Sequence, residues 1–499
     1  MSRTFRLSCV LISFALCVFC AAGAHAKNII PIVPDGEAES ADYVVTIDKY
    51  SAPVWTCRVS AIPFNRIWPG YQRSLDQTET ASFVTWETDA ESSEIVVKSL
   101  RNDATLENVV IRPLSLGIKP TIDKEKKEIS FKSSGTTPIV VEIDGSHFAL
   151  HLLPFPIYKR PADLNAPNLR YFGPGIHNAG LIEVKSGDEI FVDSGAVVYG
   201  GVRGEGVENV KVSGPGIIDV APFERGKIGG VFRFTNSKNI TIDGIVQRDP
   251  DVWSTTLYQC DNVHIANTKL IGLWRYNADG IDVCNSENVT VEKSFLRTYD
   301  DSLVVKGIGE STRPVKNLVF RQNVIWCDWG RAMELGAETR APEFNNVRFE
   351  DCDVVRNTHI AMDIQHGDRA KISNVVFDNI RVEFDDKIPT PVYQNSDDQV
   401  YDPNANPDFC PALAVIVIQS THYSGDKENG NVRNVLFKDI KVYGSRKPAI
   451  SLTGCAAESD VQGVSFKNVT LVDQNLKVDS SEILPYSANQ FVSDVSFVP

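Results

Sequence analysis

One short phrase returns along the chain from Asn209 onward: Asn, an aliphatic residue, any residue, then a hydrophobic one. It reads NVKV at Asn209, NITI at Asn239, NVHI at Asn262, NVTV at Asn288, NLVF at Asn317, NVRF at Asn346, NVVF at Asn374 and NVLF at Asn434, and continues as GVSF at Gly463 and DVSF at Asp494. The steps are 30, 23, 26, 29, 29, 28, 60, 29 and 31 residues. A period in this range signals stacked supersecondary units. Each unit is rich in Val, Ile, Phe and Thr in two-residue alternation, which is strand chemistry. Parallel strands stacked coil on coil, with Asn at a repeated turn, predict an all-β solenoid, a right-handed parallel β-helix. The 60-residue step is expected to be two coils with one marker missing. Such a solenoid presents a long wall suited to an extended polymer.

The first residues read as an export signal. Arg3 and Arg6 precede an apolar run from Leu7 to Ala22, and Ala24-His25-Ala26 is a small-x-small cleavage site. Residues 1–26 are therefore expected to leave, with the mature chain starting at Lys27 in the periplasm or outside the cell. The run is short for a spanning helix, so no membrane insertion is expected. Losing Arg3 and Arg6 lowers the basic count from 50 to 48 against 64 acids, a net charge of −16. That surface argues against nucleic acid or an anionic membrane as partner. It also gives no global attraction for a polyanionic polysaccharide, which only a local basic groove would provide. Cys9, Cys17 and Cys20 leave with the signal; the seven that remain include no CxxC pair and are an odd number. Cys260, Cys284, Cys327 and Cys352 fall in coil-like segments and read as small buried hydrophobes.

Residues 27–160 do not show the Asn repeat. Alternating runs such as YVVTI at Tyr43, SFVTW at Ser82, EIVVKS at Glu94 and PIVVEI at Pro138 predict a small antiparallel β-sandwich. The proline-rich stretch Pro154 to Asn168 is the expected linker, and residues 161–499 the solenoid. Asp386 to Pro411, rich in Pro, Asn and Asp, is long for a turn and is expected to form a cleft wall.

Two adjacent coils carry acids. Asn277-Ala278-Asp279-Gly280-Ile281-Asp282 is followed by Asp300-Asp301-Ser302-Leu303-Val304-Val305-Lys306-Gly307. Asp279 precedes Asp300 by 21 residues and Asp301 by 22, close to one coil. Neighbouring strands lie about 4.8 Å apart, so the three carboxyls are expected on one wall. Crowded carboxyls cannot all ionise, and one becomes a protonated acid beside ionised neighbours. Glycosidic bond hydrolysis uses that arrangement, one acid protonating the leaving oxygen while another activates water. Successive strand residues face opposite ways, so Asp300 and Asp301 share a site only at a bulge or a strand entrance.

These motifs resemble the polygalacturonase-like glycoside hydrolases of family 28, whose coils carry Asn-Thr-Asp-Gly-Phe-Asp and then Asp-Asp-Cys-hydrophobic-Ala-Ile-Asn-Ser-Gly. Asn277 to Asp282 matches the first and Asp300 to Gly307, more loosely, the second. The segment from Trp253 to Val263 is similar to the family's preceding coil, and the resemblance runs from about residue 170 to 480. It implies that Asp300 is the general acid, that Asp279 and Asp301 hold and activate water, that the anomeric carbon inverts, and that no cofactor or metal takes part. Arg331 and Glu334, within Gly330 to Gly336, are implied to contact sugar, with Arg331 standing where the family has His. The family's Arg-Ile-Lys grip on uronic carboxylates is replaced by Asp363-Ile364-Gln365, followed by His366. A carboxylate there repels an acidic sugar. Asn277, Asp282, Lys306, Asp363 and His366 are further substrate-binding candidates. Trp253, Trp274 and Trp329 are candidate sugar platforms.

The expectation is an exported, monomeric hydrolase acting on a polysaccharide or its oligomers. The sandwich also resembles the two-domain plan of dextranase-like hydrolases of family 49, the nearest rival, which act on neutral α-glucans. A polysaccharide lyase on the same fold would use Arg331 or Lys306 as base and often calcium. A non-catalytic carbohydrate-binding solenoid has no reason to place three acids in register.

Overall fold

The computed structural model describes residues 27–60, 78–384 and 409–499. The export signal and almost all of Asp386 to Pro411 lie outside the described residues.

Two sheets form first. A five-stranded sheet joins Tyr50–Ala52, Tyr43–Ile47, Glu94–Ser99, Glu128–Lys132 and Thr121–Asp123, all antiparallel. A six-stranded sheet runs from Asn28–Ile29 through Thr78–Thr88, Leu150–Phe155 and Ile139–Ile143 to Val109–Arg112, with Trp55–Ser60 also on Thr78–Thr88. Val45, Ile47, Ile95 and Val97 of the first meet Val84, Trp86, Val141 and Leu152 of the second in one buried core. The two-residue alternation of YVVTI and EIVVKS thus puts every second side chain inside. The expectation of a purely antiparallel sandwich needs one correction. Leu150–Phe155 runs parallel to Thr78–Thr88, with Leu150 opposite Ser82. This last strand leaves toward the solenoid instead of returning, so it takes the direction of its long neighbour.

From Leu169 a single sheet path winds, among the described residues, through 31 strands, each pairing in parallel with the strand one coil on, apart from one short antiparallel pair near the end. The Asn phrase sets one corner of every coil. Asn209, Asn239, Asn262, Asn288, Asn317, Asn346, Asn374 and Asn434 all have left-handed backbone, φ between 55° and 59°. Asn tolerates that region better than other side-chain-bearing residues because its amide bonds locally. The amides also bond along the stack: Asn239 Nδ2 donates to Asn209 at 2.9 Å, Asn317 to Asn288 at 2.9 Å and Asn346 to Asn317 at 3.0 Å. The residue after each Asn faces inward, as Val263, Val289, Leu318, Val347 and Val375 do. Three residues after the Asn, or after Gly463 and Asp494 in the last coils, Phe320, Phe349, Phe377, Phe437, Phe466 and Phe497 stack in turn with centroids 4.7–5.0 Å apart. Cys260, Cys284, Cys327 and Cys352 are buried free thiols.

The 60-residue step is one coil, not two. Lys371–Asp378 pairs directly with Asn431–Lys438, Val375 opposite Val435, and Asn434 Nδ2 lies 3.5 Å from Asn374 Oδ1. Part of the extra length falls after Phe384, outside the described residues, and part lies between Ile418 and Asn431.

Sandwich and solenoid share a core. Trp55, Phe83, Leu153 and Phe155 pack with Phe191, Val246, Phe295 and Trp326 in one cluster. Beside it Arg356 grips Glu142 with contacts of 2.5 and 2.7 Å, and Arg112 bridges Glu142 to Glu383. Burial opposes the Glu142 charge, but Arg356 and Arg112 outweigh it and hold the carboxyl down at about 2. The expected linker is itself clamped: Arg160 binds Glu87 at 2.6 Å and Asp193 at 2.7 Å.

Candidate active site

Asp279 lies in the bend that leads into the strand Ile281–Cys284; Asp300 and Asp301 lie in the bend leading into Leu303–Gly307. The strands pair with Ile281 opposite Leu303, and the bends are already in register: Gly280 N donates to Asp301 O at 2.8 Å and Ile281 N to Ser302 O at 2.9 Å. Asp279 and Asp301 therefore hold equivalent places on neighbouring coils. The strand entrance, where alternation has not begun, lets Asp300 and Asp301 serve one site. Glycine is required beside both. A Cβ on Gly280 would sit 2.3 Å from Ser302 O, and one on Gly330 would sit 2.4 Å from Asp301 N. Thr298 fixes the second bend through its hydroxyl, which donates to Asp300 O at 2.6 Å.

The three aspartates open into a cavity of about 330 Å³. Its walls also carry Trp253, Asn277, Lys306, Arg331 and Glu334, all expected from the sequence. Three expected site residues do not line it. Asp282 and Asp363 are buried beside it, on a row where Asp282 pairs with Val304, Val304 with Glu334 and Glu334 with Asp363. His366 is also fully buried, its Nδ1 2.7 Å from Thr339 Oγ1, and burial pushes it down to about 4. As a sugar contact His366 is corrected: it is a neutral ring inside the wall. Of the other tryptophans, Trp274 is buried with its indole N–H on Asp249 at 2.9 Å. Trp329 packs on the solenoid core and stacks with His359.

Sequence reasoning missed one wall. Thr421, His422 and Tyr423 reach the cavity from the excursion after Ile418, as does Glu338 from the strand Arg331–Thr339. Asp368, fully buried, ties that excursion down by accepting from Gly425 N at 2.7 Å, Asp426 N at 2.9 Å and Thr339 N at 2.9 Å. Arg225 also reaches the rim, donating to Asn277 Oδ1 at 2.9 Å. No repeat or motif marks these residues, and reading the 60-residue step as two coils hid the excursion that carries Thr421, His422 and Tyr423.

The electrostatics separate the carboxyls. Asp300 is raised to about 7, first by burial and then by the charge of Asp301. Burial disfavours the Asp301 charge too, but Arg331 overrides it and Asp301 falls below the usual carboxylate range. Arg331 N donates to Asp301 Oδ1 at 2.8 Å, and its guanidinium approaches Asp301 at 3.6 Å, Asp363 at 3.5 Å and Gln365 at 3.3 Å. Glu334 has no hydrogen-bond donor on either oxygen; burial and Asp301 raise it well above the usual range, so it is a protonated acid. Asp279 is raised by burial, then by Asp282 and Asp300. Lys306 works against that: burial disfavours its charge, but Glu338, Asp279, Asp282 and Asp301 hold it firmly protonated. Its Nζ lies 3.4 Å from Glu338 Oε2 and 5.1 Å from the centre of the Trp253 ring. One carboxyl able to give a proton thus stands beside one that stays ionised, the pairing acid–base chemistry requires. Among the described residues, no group of three or more His, Cys, Asp or Glu is arranged to hold a metal ion.

Comparison with known proteins bears on this arrangement. Residues 199–394 match the model of glycosyl hydrolases family 28. Polygalacturonase QRT2 of Arabidopsis thaliana is 23% identical over 246 residues, covering 48% of this chain and 49% of that protein. A polygalacturonase of Ralstonia solanacearum is 30% identical over 110 residues, covering 21% of this chain and 20% of that protein. The chain spans about half the length of the first curated relatives it matches. Among solved structures, Dex49A from Penicillium minioluteum superposes with a TM-score of 0.61 at 13% identity, covering 94% of this chain and 96% of that one. The fold is therefore shared with a solved structure over nearly the whole of both chains.

Proposed function

We propose, from a middle section on the glycosyl hydrolase family 28 pattern, that this chain is an exported, monomeric enzyme that hydrolyses a glycosidic bond of a polysaccharide with inversion. Asp300 gives its proton to the leaving oxygen. Asp301, helped by Asp279, takes a proton from the water that attacks the anomeric carbon from the opposite face. The leaving sugar departs with the Asp300 proton, and solvent then returns Asp300 and Asp301 to their starting states. The observation that carries this reading is that Asp279, Asp300 and Asp301 open into one cavity with Arg331 N donating to Asp301 Oδ1 at 2.8 Å, an arrangement that raises Asp300 and holds Asp301 low. Residues 27–160 are read as a bracing sandwich and 161–499 as the catalytic solenoid.

The sugar at the cleavage point is neutral. The cations on the cavity wall are already engaged, Arg331 by Asp301, Asp363 and Gln365, and Lys306 by Glu338. An incoming uronate meets the charges of Asp301 and Glu338, and among the described residues the two cations lining the cavity, Arg331 and Lys306, are already paired.

Reducing-end release from polygalacturonate, rhamnogalacturonan, an α-glucan and algal glycans tests both claims. Polygalacturonate is expected to give little, and at least one of the others much more. Asp300→Asn is expected to lower turnover about 10²–10⁴-fold with the fold intact. Normal turnover in that variant removes Asp300 from the mechanism. Fast polygalacturonate hydrolysis that is lost in Arg331→Ala assigns the carboxylate grip to Arg331 instead.

A further inference from the structure

A second opening, about 530 Å³ and sharing no residue with the cavity above, runs where the sandwich overhangs the solenoid. Its roof is the turn around Ser115 and the loop Thr136–Pro138. Its floor is two parallel rows of side chains on successive coils. One row is Lys293, Gln322, Asp351 and Asn379, each following a strand end in register, since Glu292 pairs with Arg321, Arg321 with Glu350 and Glu350 with Asp378. All four share left-handed or corner backbone, φ 52–57°. The other row is Val324, Asp353, Arg381 and Lys441, again in register. Lys293 and Lys441 are thus four coil steps apart, about 19 Å at about 4.8 Å per step.

The charges in this groove are unevenly satisfied. Arg381 in the middle is paired with both Asp351 and Asp353, at 2.6 Å each, which leaves one negative charge in excess there and concentrates the positive charge of the groove at its ends. Lys293 and Lys441 at the two ends are exposed and have no acidic partner among the described residues. Between them the lining offers amides, hydroxyls and the half-buried ring of Tyr443. Free ammonium groups at both ends, with hydrogen-bonding groups and one aromatic face between, match a hydrophilic chain bearing spaced anionic groups. The two lysine ends are local positive points on a chain of net charge −14, so a densely charged polyanion such as nucleic acid is repelled by the rest of the surface and by the acidic middle of the groove.

Resting on the carbohydrate-active reading only for the sugar nature of the ligand, we propose that this groove binds an acidic glycan chain and holds the polymer at a site separate from the catalytic cavity. Electrophoresis of the intact mature protein through native gels containing polygalacturonate, dextran or short duplex DNA tests it. Polygalacturonate is expected to retard the wild type, dextran and DNA not. The retardation is expected to vanish near 1 M salt, where the screening length is about 3 Å. Lys293→Ala/Lys441→Ala, both exposed and outside every core, is expected to weaken the interaction about tenfold. Asp300→Asn is expected to be retarded like the wild type. That result separates the groove from the catalytic reading, because catalysis can fail while retention persists. Free migration of the wild type in polygalacturonate, equal retardation of the double variant, retardation by dextran or DNA as strong as by polygalacturonate, or loss of retention in Asp300→Asn each overturns the proposal.

Discussion

Asp300 is raised toward 7 because its carboxyl is desolvated in the cavity wall and stands beside the Asp301 charge, and this sets the sign of a pH dependence. A general acid works only while protonated, so turnover is expected to fall as pH rises through about 7. Asp301 must stay ionised, and Arg331 keeps it so well into the acid range, which leaves that side of the profile broad. The pH profile of kcat on a cleaved glycan checks this. Arg331→Ala removes the main support of the Asp301 charge, so it is expected to move the acid-side limb to higher pH and to lower turnover. A profile whose acid limb does not move in that variant separates Arg331 from Asp301. The same reasoning places Glu334 as a protonated group, able to donate to Asp301 or to a sugar oxygen rather than to act as a second base.

At the scale of the coil, Asn317 shows what the repeat does. It holds φ at 57°, donates to Asn288 and accepts from Asn346. Asn317→Val adds the steric cost of that backbone region, about 1–2 kcal/mol, to the lost amide bonds. Asn317→Gly keeps the backbone and loses only the bonds. Urea unfolding is expected to rank the valine variant clearly below the glycine one; equal midpoints detach stability from the left-handed corner. The Asn row, the inward aliphatics and the register of Asp279 with Asp301 were legible because each depends on residue type at a regular spacing. Other features were hidden for definite reasons. A second left-handed row five residues after the Asn, at Asn267, Lys293, Gln322, Asp351, Asn379, Asp439 and Asn468, mixes amides, acids and a lysine, so no letter repeats. Thr421, His422 and Tyr423 reach the cavity through tertiary ties to Asp368 that no local pattern encodes. The burial of His366 and Trp274 depends on what covers them, and sequence distance does not report that.

For the molecule as a whole, the salt links between sandwich and solenoid sit inside a common core, so the two are expected to unfold together. Breaking a buried ion pair by removing one partner costs about 3–5 kcal/mol. Arg356→Ala is therefore expected to lower the unfolding midpoint sharply in a single transition; two separate transitions in the wild type contradict one shared core. Glu142 is held below its ordinary 4.5 at about 2 in the folded chain. Its charge contributes stability that is complete above about pH 4.5 and is lost as pH falls toward 2, and Glu142→Gln is expected to remove that portion of the acid sensitivity. The long coil between Asn374 and Asn434 has a different consequence. Val375 still meets Val435, so the ladder does not register how many residues intervene. Coil length is then a free variable for evolution and for protein engineering: a segment can be lengthened, exchanged or transplanted at such a corner, remodelling what guards the cavity, while the aspartates on the neighbouring coils keep their positions.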